Sequence, residues 1–213
     1  MNPARRLVPF LVLLALFGFA PAPAAAAEVR TSPDQASKFV AELGDQFETL
    51  LGSNDGGSLG QHRQAFATLV RGGFDLELIG RFVLGRSWKN ATAAQQQQYQ
   101  RLFALWTINT YGLLLGANQG GHLTVIGAQP MAGGDAIVRT TIHRINGTPV
   151  EIDLRVRDTD GHLKIVEVLI AGASMGVTQR DEFASVIQHK GLDGLIDEIK
   201  GRVDTLQAEA ARD

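Results

Sequence analysis

Gly172-Ala173-Ser174-Met175-Gly176 is the string of residues with the clearest catalytic form in this 213-residue chain. A G-x-S-x-G between a strand and a helix resembles a nucleophile elbow, in which glycines let the backbone turn sharply enough to expose a serine hydroxyl. That chemistry needs an acid and then a histidine downstream, and the only histidine after Ser174 is His189, just past the next predicted helix. It also needs a largely parallel sheet ahead of the elbow, whereas tight turns join the strands predicted here. The alternative is a loop whose glycines simply permit a tight reversal. His62, His122, His143, His162 and His189 stand singly, without the H-x-x-x-H spacing that aims two imidazoles at one metal. Phosphate-loop and dinucleotide glycine fingerprints are missing as well, so no cofactor is expected. Asn90-Ala91-Thr92 and Asn146-Gly147-Thr148 match the glycosylation sequon, but each already has a structural role as helix cap or hairpin turn.

One polar pair is a further candidate. If the turns at Asn146-Gly147 and Asp160-Gly161 are both two-residue loops, Arg139, Leu154 and Glu167 share a row on the apolar face of a sheet, and an Arg–Glu pair spans it. A one-residue change in loop length sends Arg139 to the solvent face instead.

The elements that position these residues fall into two regimes. From Ser32 to Gly116 the pattern is helical, with capping boxes at Ser32-Pro33-Asp34-Gln35 and Thr92-Ala93-Ala94-Gln95. The first helix carries Phe39, Val40, Leu43, Phe47, Leu50 and Leu51 on one face and ends in the Gly52 to Gly60 loop. Shorter helices are predicted at about Gln61 to Val70 and Leu76 to Leu84. A long one follows from Ala93 to Leu115, apolar around nearly its whole circumference after Leu102.

From His122 to Ile170 the period changes to two, which predicts four antiparallel strands in a meander, turning at Gly133-Gly134, Asn146-Gly147 and Asp160-Gly161. In the third strand Val150, Ile152, Leu154 and Val156 share one face, opposite Glu151, Asp153, Arg155 and Arg157. In the fourth, Leu163, Ile165 and Leu169 face one way while Val166, Val168 and Ile170 face the other, so both sides need cover. A connector from Ala171 to Gly176 leads to a helix capped by Thr178, then to a last helix from Leu192 to Leu206. The expectation is an α+β domain, with about six helices packed around a four-stranded antiparallel meander sheet that encloses an apolar pocket.

Composition limits the function. Arg5 and Arg6 precede an apolar run from Leu7 to Ala20, and Ala25-Ala26-Ala27 offers a cleavage site, so residues 1–27 read as a signal peptide and 28–213 as one exported domain. The run is too short to span roughly 30 Å of hydrocarbon. With no cysteine there is neither a lipidation thiol nor a disulfide. Beyond residue 27, 18 basic residues face 22 acidic ones, a net charge of −4 that courts neither nucleic acid nor an anionic membrane.

Phe74-Asp75, Ile79-Gly80-Arg81-Phe82-Val83-Leu84-Gly85-Arg86-Ser87-Trp88, Tyr99 to Phe103, Gly172 to Gly176 and Thr178-Gln179-Arg180-Asp181-Glu182-Phe183 together resemble the MlaC, or toluene-tolerance, family over nearly all of the exported chain. The Ser174-Met175 variant is similar to a branch that accompanies hopanoid synthesis. The resemblance implies a periplasmic carrier, not an enzyme, that holds a phospholipid by its acyl tails and shuttles it between outer and inner membranes. Its implied partners are an outer-membrane lipoprotein and an inner-membrane ABC transporter with an MCE-domain subunit. It brings no catalytic residues, and Asp75, Arg81, Trp88 and Arg180 transfer only as fold or docking positions. The candidate lining is Val150, Ile152, Leu154 and Val156, their neighbours Ile165 and Leu169, and Phe103, Trp106, Tyr111 and Leu114 of the long helix. The same side chains can equally pack together as an ordinary core. Two other readings stay open: a ligand-free periplasmic adaptor, and a small enzyme with Glu167, Arg139 and His143 pointing inward.

Overall fold

The computed structural model describes residues 31–52, 59–116, 121–143 and 147–210, without the side chains of 51, 59–62, 113–116 and 210. The expected signal peptide, most of the Gly52 to Gly60 loop and the Leu114 side chain lie outside the described residues. In chain order the elements are α1 (Pro33–Gly52), α2 (Leu59–Gly73), α3 (Leu76–Leu84), α4 (Arg86–Asn90) and α5 (Ala93–Gly116). Then come β1 (His122–Pro130), β2 (Ala136–His143), β3 (Val150–Thr159), β4 (His162–Ile170), β5 (Ala173–Ser174) and α6 (Met175–Ala210). The strands form one antiparallel sheet in the order β1-β2-β3-β4-β5. The architecture is the α+β meander expected, with a two-residue fifth strand where a plain connector was predicted.

Local chemistry explains most boundaries. At α5 the capping box is reciprocal: Gln95 N–H donates to Thr92 Oγ1 at 3.3 Å, and Thr92 N–H to Gln95 Oε1 at 3.0 Å. Asp75 caps α3 by accepting from Leu78 N–H at 2.9 Å. Gly85, with φ of 59° and ψ of −130°, separates α3 from the short α4 in a conformation that a side chain would strain. The two helices expected at the C-terminus are present as the two arms of α6, separated by a non-helical kink at Gly191, whose φ is 73°.

The sheet departs from the expected register in two places, each traceable to one residue. A two-residue turn at Asn146-Gly147 would set His143 opposite Val150, but Ile142 takes that place, which moves Arg139 opposite Asp153 on the exposed face. The Asp160-Gly161 turn is the two-residue loop expected, with φ of 53° and 81°. Farther along, Arg155 faces Glu167 while Val156 faces Ile165, so Val166 is an unpaired bulge. As a result Leu154 lies between Val138 and Val168, and no row holds Arg139, Leu154 and Glu167 together. The bulge also separates the faces of β4: Ile165 points inward with Val156, whereas Leu169, opposite Asp153, lies on the outer face. A second bulge, between Val125 and Gly127, interrupts the edge strand β1.

The inner face of the sheet packs on α1. Ala36, Val40 and Leu43, at helical spacing, meet Ala136, Val138, Leu154, Val156 and Ile165. Val156 and Ile165 are 0% and 1% exposed, and burying each such side chain contributes about 2 kcal/mol. A second core joins α3, α5 and α6 through Val83, Leu84, Tyr99, Phe103, Trp106, Phe183, Leu195 and Ile199. Tyr99 is fully buried there, and its hydroxyl donates to the Gly80 carbonyl at 3.0 Å. That pair requires close approach at Gly80, where an added Cβ would sit 2.6 Å from Gln100 Oε1.

On the outer face, Asp135, 2% exposed, receives both Arg155 and Arg157, the latter through Nε at 2.8 Å and Nη2 at 2.9 Å. Burial works against the Asp135 carboxylate, but the two guanidinium groups more than offset it and hold its pKa below the ordinary carboxylate value. Its stabilisation is therefore complete above the unfolded value and is lost as pH falls through the lowered one. Asp135→Asn should cost about 3 kcal/mol in guanidinium unfolding at pH 7. The variant should also lose less stability than the parent between about pH 4 and pH 2; parallel acid limbs would show that the carboxylate is not the titrating group.

Candidate functional site

α2 and α3 meet the sheet at β4 and pack with α5 along an apolar seam. Phe66, Ala67 and Val70 of α2, Leu76 of α3 and Ile108 of α5 form a third buried cluster. Phe47 and Phe74 pack against both this cluster and the sheet core, so the two are continuous. The Phe47 and Phe66 rings sit 5.5 Å apart, tilted. On the side of α5 turned toward the seam, Ala104 and Ile108 pack in the cluster, and a Cβ on Gly112 would lie 3.2 Å from Phe66.

The predicted lining residues divide between two places. Leu154, Val156 and Ile165 come together in the sheet core, and the half-buried Ile152 packs beside them. Val150 is half-buried at the start of β3, and Leu169 is on the other face. Phe103 and Trp106 belong to the core shared by α3, α5 and α6 rather than to the seam. Tyr111 is half-buried, and burial together with the charge of Glu182 raises its hydroxyl pKa. The seam is instead formed by Phe47, Phe66, Phe74, Ala104 and Ile108, none of which the sequence had marked as lining. The Ala104, Ile108, Gly112 spacing along α5 was the available signal, since residues at i, i+4 and i+8 share one face of a helix.

Where the seam reaches the surface, Phe74, Leu76 and Ala104 floor a cleft of about 430 Å³. Its rim carries Arg71, Lys164, Asp75, Glu77 and Thr159. The α2–α3 joint is tied to the sheet here, because Asp75 N–H donates to the Ile165 carbonyl at 3.0 Å. A second hollow, between the two parts of α6, is about 20 Å³ and admits little more than one water.

The serine of the G-x-S-x-G string has a structural role. Ser174 Oγ donates to Glu167 Oε2 at 2.8 Å and accepts from Val177 N–H at 3.0 Å, so it caps α6 one turn before the predicted Thr178. The Thr178 hydroxyl instead donates back to the Ser174 carbonyl. Glu167 Oε1 accepts from Gly176 N–H at 3.2 Å. His189 lies about 22 Å farther along the same helix by its rise per residue, far beyond reach of the hydroxyl. Among the described residues no cluster of three or more potential ligands could hold a metal, and no helix is long and apolar enough to cross a membrane. The motif positions likewise hold the fold: Asp75 caps α3, Arg81 pairs with Glu77 and lies 5.4 Å over Trp88, and Arg180 lies 4.8 Å over Phe82.

Comparison with known proteins places these features. Residues 44–201 match the family described as MlaC protein. Toluene tolerance protein Ttg2D of Pseudomonas putida is 32% identical over 119 residues, a match spanning 54% of this chain and 54% of that one. The chain therefore spans about half the length of this curated relative. A phospholipid-binding protein from Ralstonia solanacearum, solved in complex with a phospholipid, superposes with a TM-score of 0.71 at 29% identity, covering 81% of this chain and 98% of that one.

If Ser174 is a cap and not a nucleophile, Ser174→Ala should lower stability by about 1 kcal/mol in a thermal melt, and the parent protein should take no label from a fluorophosphonate; adduct mass on Ser174 would reverse that assignment.

Proposed function

Because the chain belongs to the MlaC family, we propose that it is a periplasmic lipid carrier, exported by its signal peptide, which binds a phospholipid by its acyl tails and moves it between the outer and inner membranes. The observation that carries this reading is the superposition, over 81% of the chain, on a protein solved with phospholipid bound. Its loading and unloading partners would be an outer-membrane lipoprotein and an inner-membrane ABC transporter with an MCE-domain subunit. A net charge of −4 on residues 28–213 favours transfer through protein partners over unaided extraction from anionic bilayers.

The energetics explain why a carrier needs such a seam. Each methylene removed from water gains about 0.8 kcal/mol, so a sixteen-carbon tail exposed in transit costs on the order of 12 kcal/mol. Hiding the tails requires an apolar space that can widen. Here the seam lies between a sheet held by its hydrogen-bonded ladder and helices that meet it mainly through side chains, with Phe47 and Phe74 at the junction and one backbone tie, from Asp75 to Ile165. Leu154, Val156 and Ile165 on one wall, with Ala104 and Ile108 on the other, are the proposed tail contacts.

A ligand-free adaptor is the second reading, and the close packing of Val156 and Ile165 against α1 favours it. Native mass spectrometry of protein purified from periplasm without detergent separates the two. The carrier should show one diacyl lipid per chain, and solvent extraction would then tell phospholipid from hopanoid. An apo mass that survives incubation with liposomes and both partner complexes would favour the adaptor. Within the carrier reading, Ile152→Glu, at a half-buried inward position, should reduce lipid retention at least tenfold while the protein still melts cooperatively; unchanged retention would remove this wall of the sheet from the site.

A further inference from the structure

Resting on the carrier reading, we propose that the cleft between the α2–α3 joint and the β3–β4 hairpin seats the lipid's headgroup and selects an amine-bearing phosphodiester of the phosphoethanolamine type. The cleft holds about 430 Å³, within the range of small-molecule sites, and its floor of Phe74, Leu76 and Ala104 continues into the apolar seam. A ligand with tails in the seam would thus bring its polar end to this rim.

The rim carries both signs of charge. Arg71 is exposed, and among the described residues its guanidinium has no hydrogen bond or ion pair. Lys164 Nζ is held by the carbonyls of Arg71 and Gly72 at the end of α2, which fixes an ammonium group beside Arg71 and leaves one of its three N–H groups free. These two cations suit a phosphate, with Arg71 able to engage two of its oxygens at once. Asp75 uses one oxygen to cap α3 and keeps the other, and Glu77 follows it in the first turn. The two carboxylates suit an ammonium group and oppose a second anion. The Thr159 hydroxyl, which also lines the cleft, is buried without a partner, and a headgroup oxygen would satisfy it. A purely anionic headgroup would satisfy the cations but leave the free oxygen of Asp75 and the carboxylate of Glu77, which among the described residues has only Arg81 as its partner, facing like charge. Discrimination therefore falls on the amine.

The test is calorimetry on the exported chain with dihexanoyl-phosphatidylethanolamine, dihexanoyl-phosphatidylglycerol and free O-phosphoethanolamine, each below any micelle concentration. The ethanolamine lipid should bind about fivefold more tightly than the glycerol lipid, as expected for one or two partly exposed charge pairs, and free phosphoethanolamine more weakly than either. Arg71→Gln should weaken both lipids several-fold. Glu77→Gln should abolish the preference, and Arg81→Gln, which removes the partner of Glu77 and the cation over Trp88 but leaves the carboxylate in place, should leave it intact. Equal affinity of the parent protein for both lipids, or a preference untouched by Arg71→Gln and Glu77→Gln, would overturn headgroup selection while leaving tail binding standing. Free phosphoethanolamine binding as tightly as the lipid would make the cleft a site for soluble phosphoesters. Binding of neither lipid would remove the carrier reading itself.

Discussion

A single extra residue in β4 governs how the two halves of this protein fit together. Because Val166 is bulged out of the ladder, Ile165 turns toward α1 while Glu167 turns outward to the start of α6. Without the bulge, the side chain that completes the sheet core and the carboxylate that holds the α6 N-terminus would compete for faces. The Ile165 carbonyl beside the bulge accepts from Asp75, and Phe74 bridges to Ile165. The α2–α3 joint, the sheet core and the α6 cap therefore converge on three successive residues of one strand.

The helical half is organised around α5, which serves two cores at once. Tyr99, Phe103 and Trp106 face α3 and α6, and Ala104, Ile108 and Gly112 face α2 and the seam. The aromatic side is stacked and hydrogen-bonded, with Tyr99 and Phe103 at 5.7 Å and the tyrosine hydroxyl fixed to Gly80. The seam side has few large side chains. α5 thus meets α3 and α6 through large aromatic side chains and α2 through smaller contacts.

Much of this was legible in the sequence because it is written in short-range chemistry. The Thr92 capping box, the Asp160-Gly161 turn, the alternation of β3 and the break before α3 all depend on residues within four positions of one another. The failures were long-range. Whether Arg139 meets Leu154 or Asp153 depends on one residue in the β2–β3 loop, and whether Leu169 sits with Ile165 depends on one bulge. Neither leaves a mark in a pattern of period two. The α5 residues divide for a related reason: a helix apolar on all sides does not say which side meets which neighbour, and Phe103 and Trp106 turn to α3 and α6 while Ala104 and Ile108 turn to the seam. Ser174 shows the converse hazard. The glycines that make a strand-to-helix turn possible are the same whether the serine between them attacks an ester or holds the first turn of a helix.

The remaining consequence concerns the open edge of the sheet. β1 has a neighbour on one side only, and a free row of amides and carbonyls is a template on which an identical chain can add itself. The bulge at Ile126, which leaves that side chain 64% exposed, twists the strand midway, and Pro130 removes a donor at its end. A second molecule can then match only a few residues before the ladders fall out of step. The bulge and the proline thus make the described edge a poor template for continued strand addition.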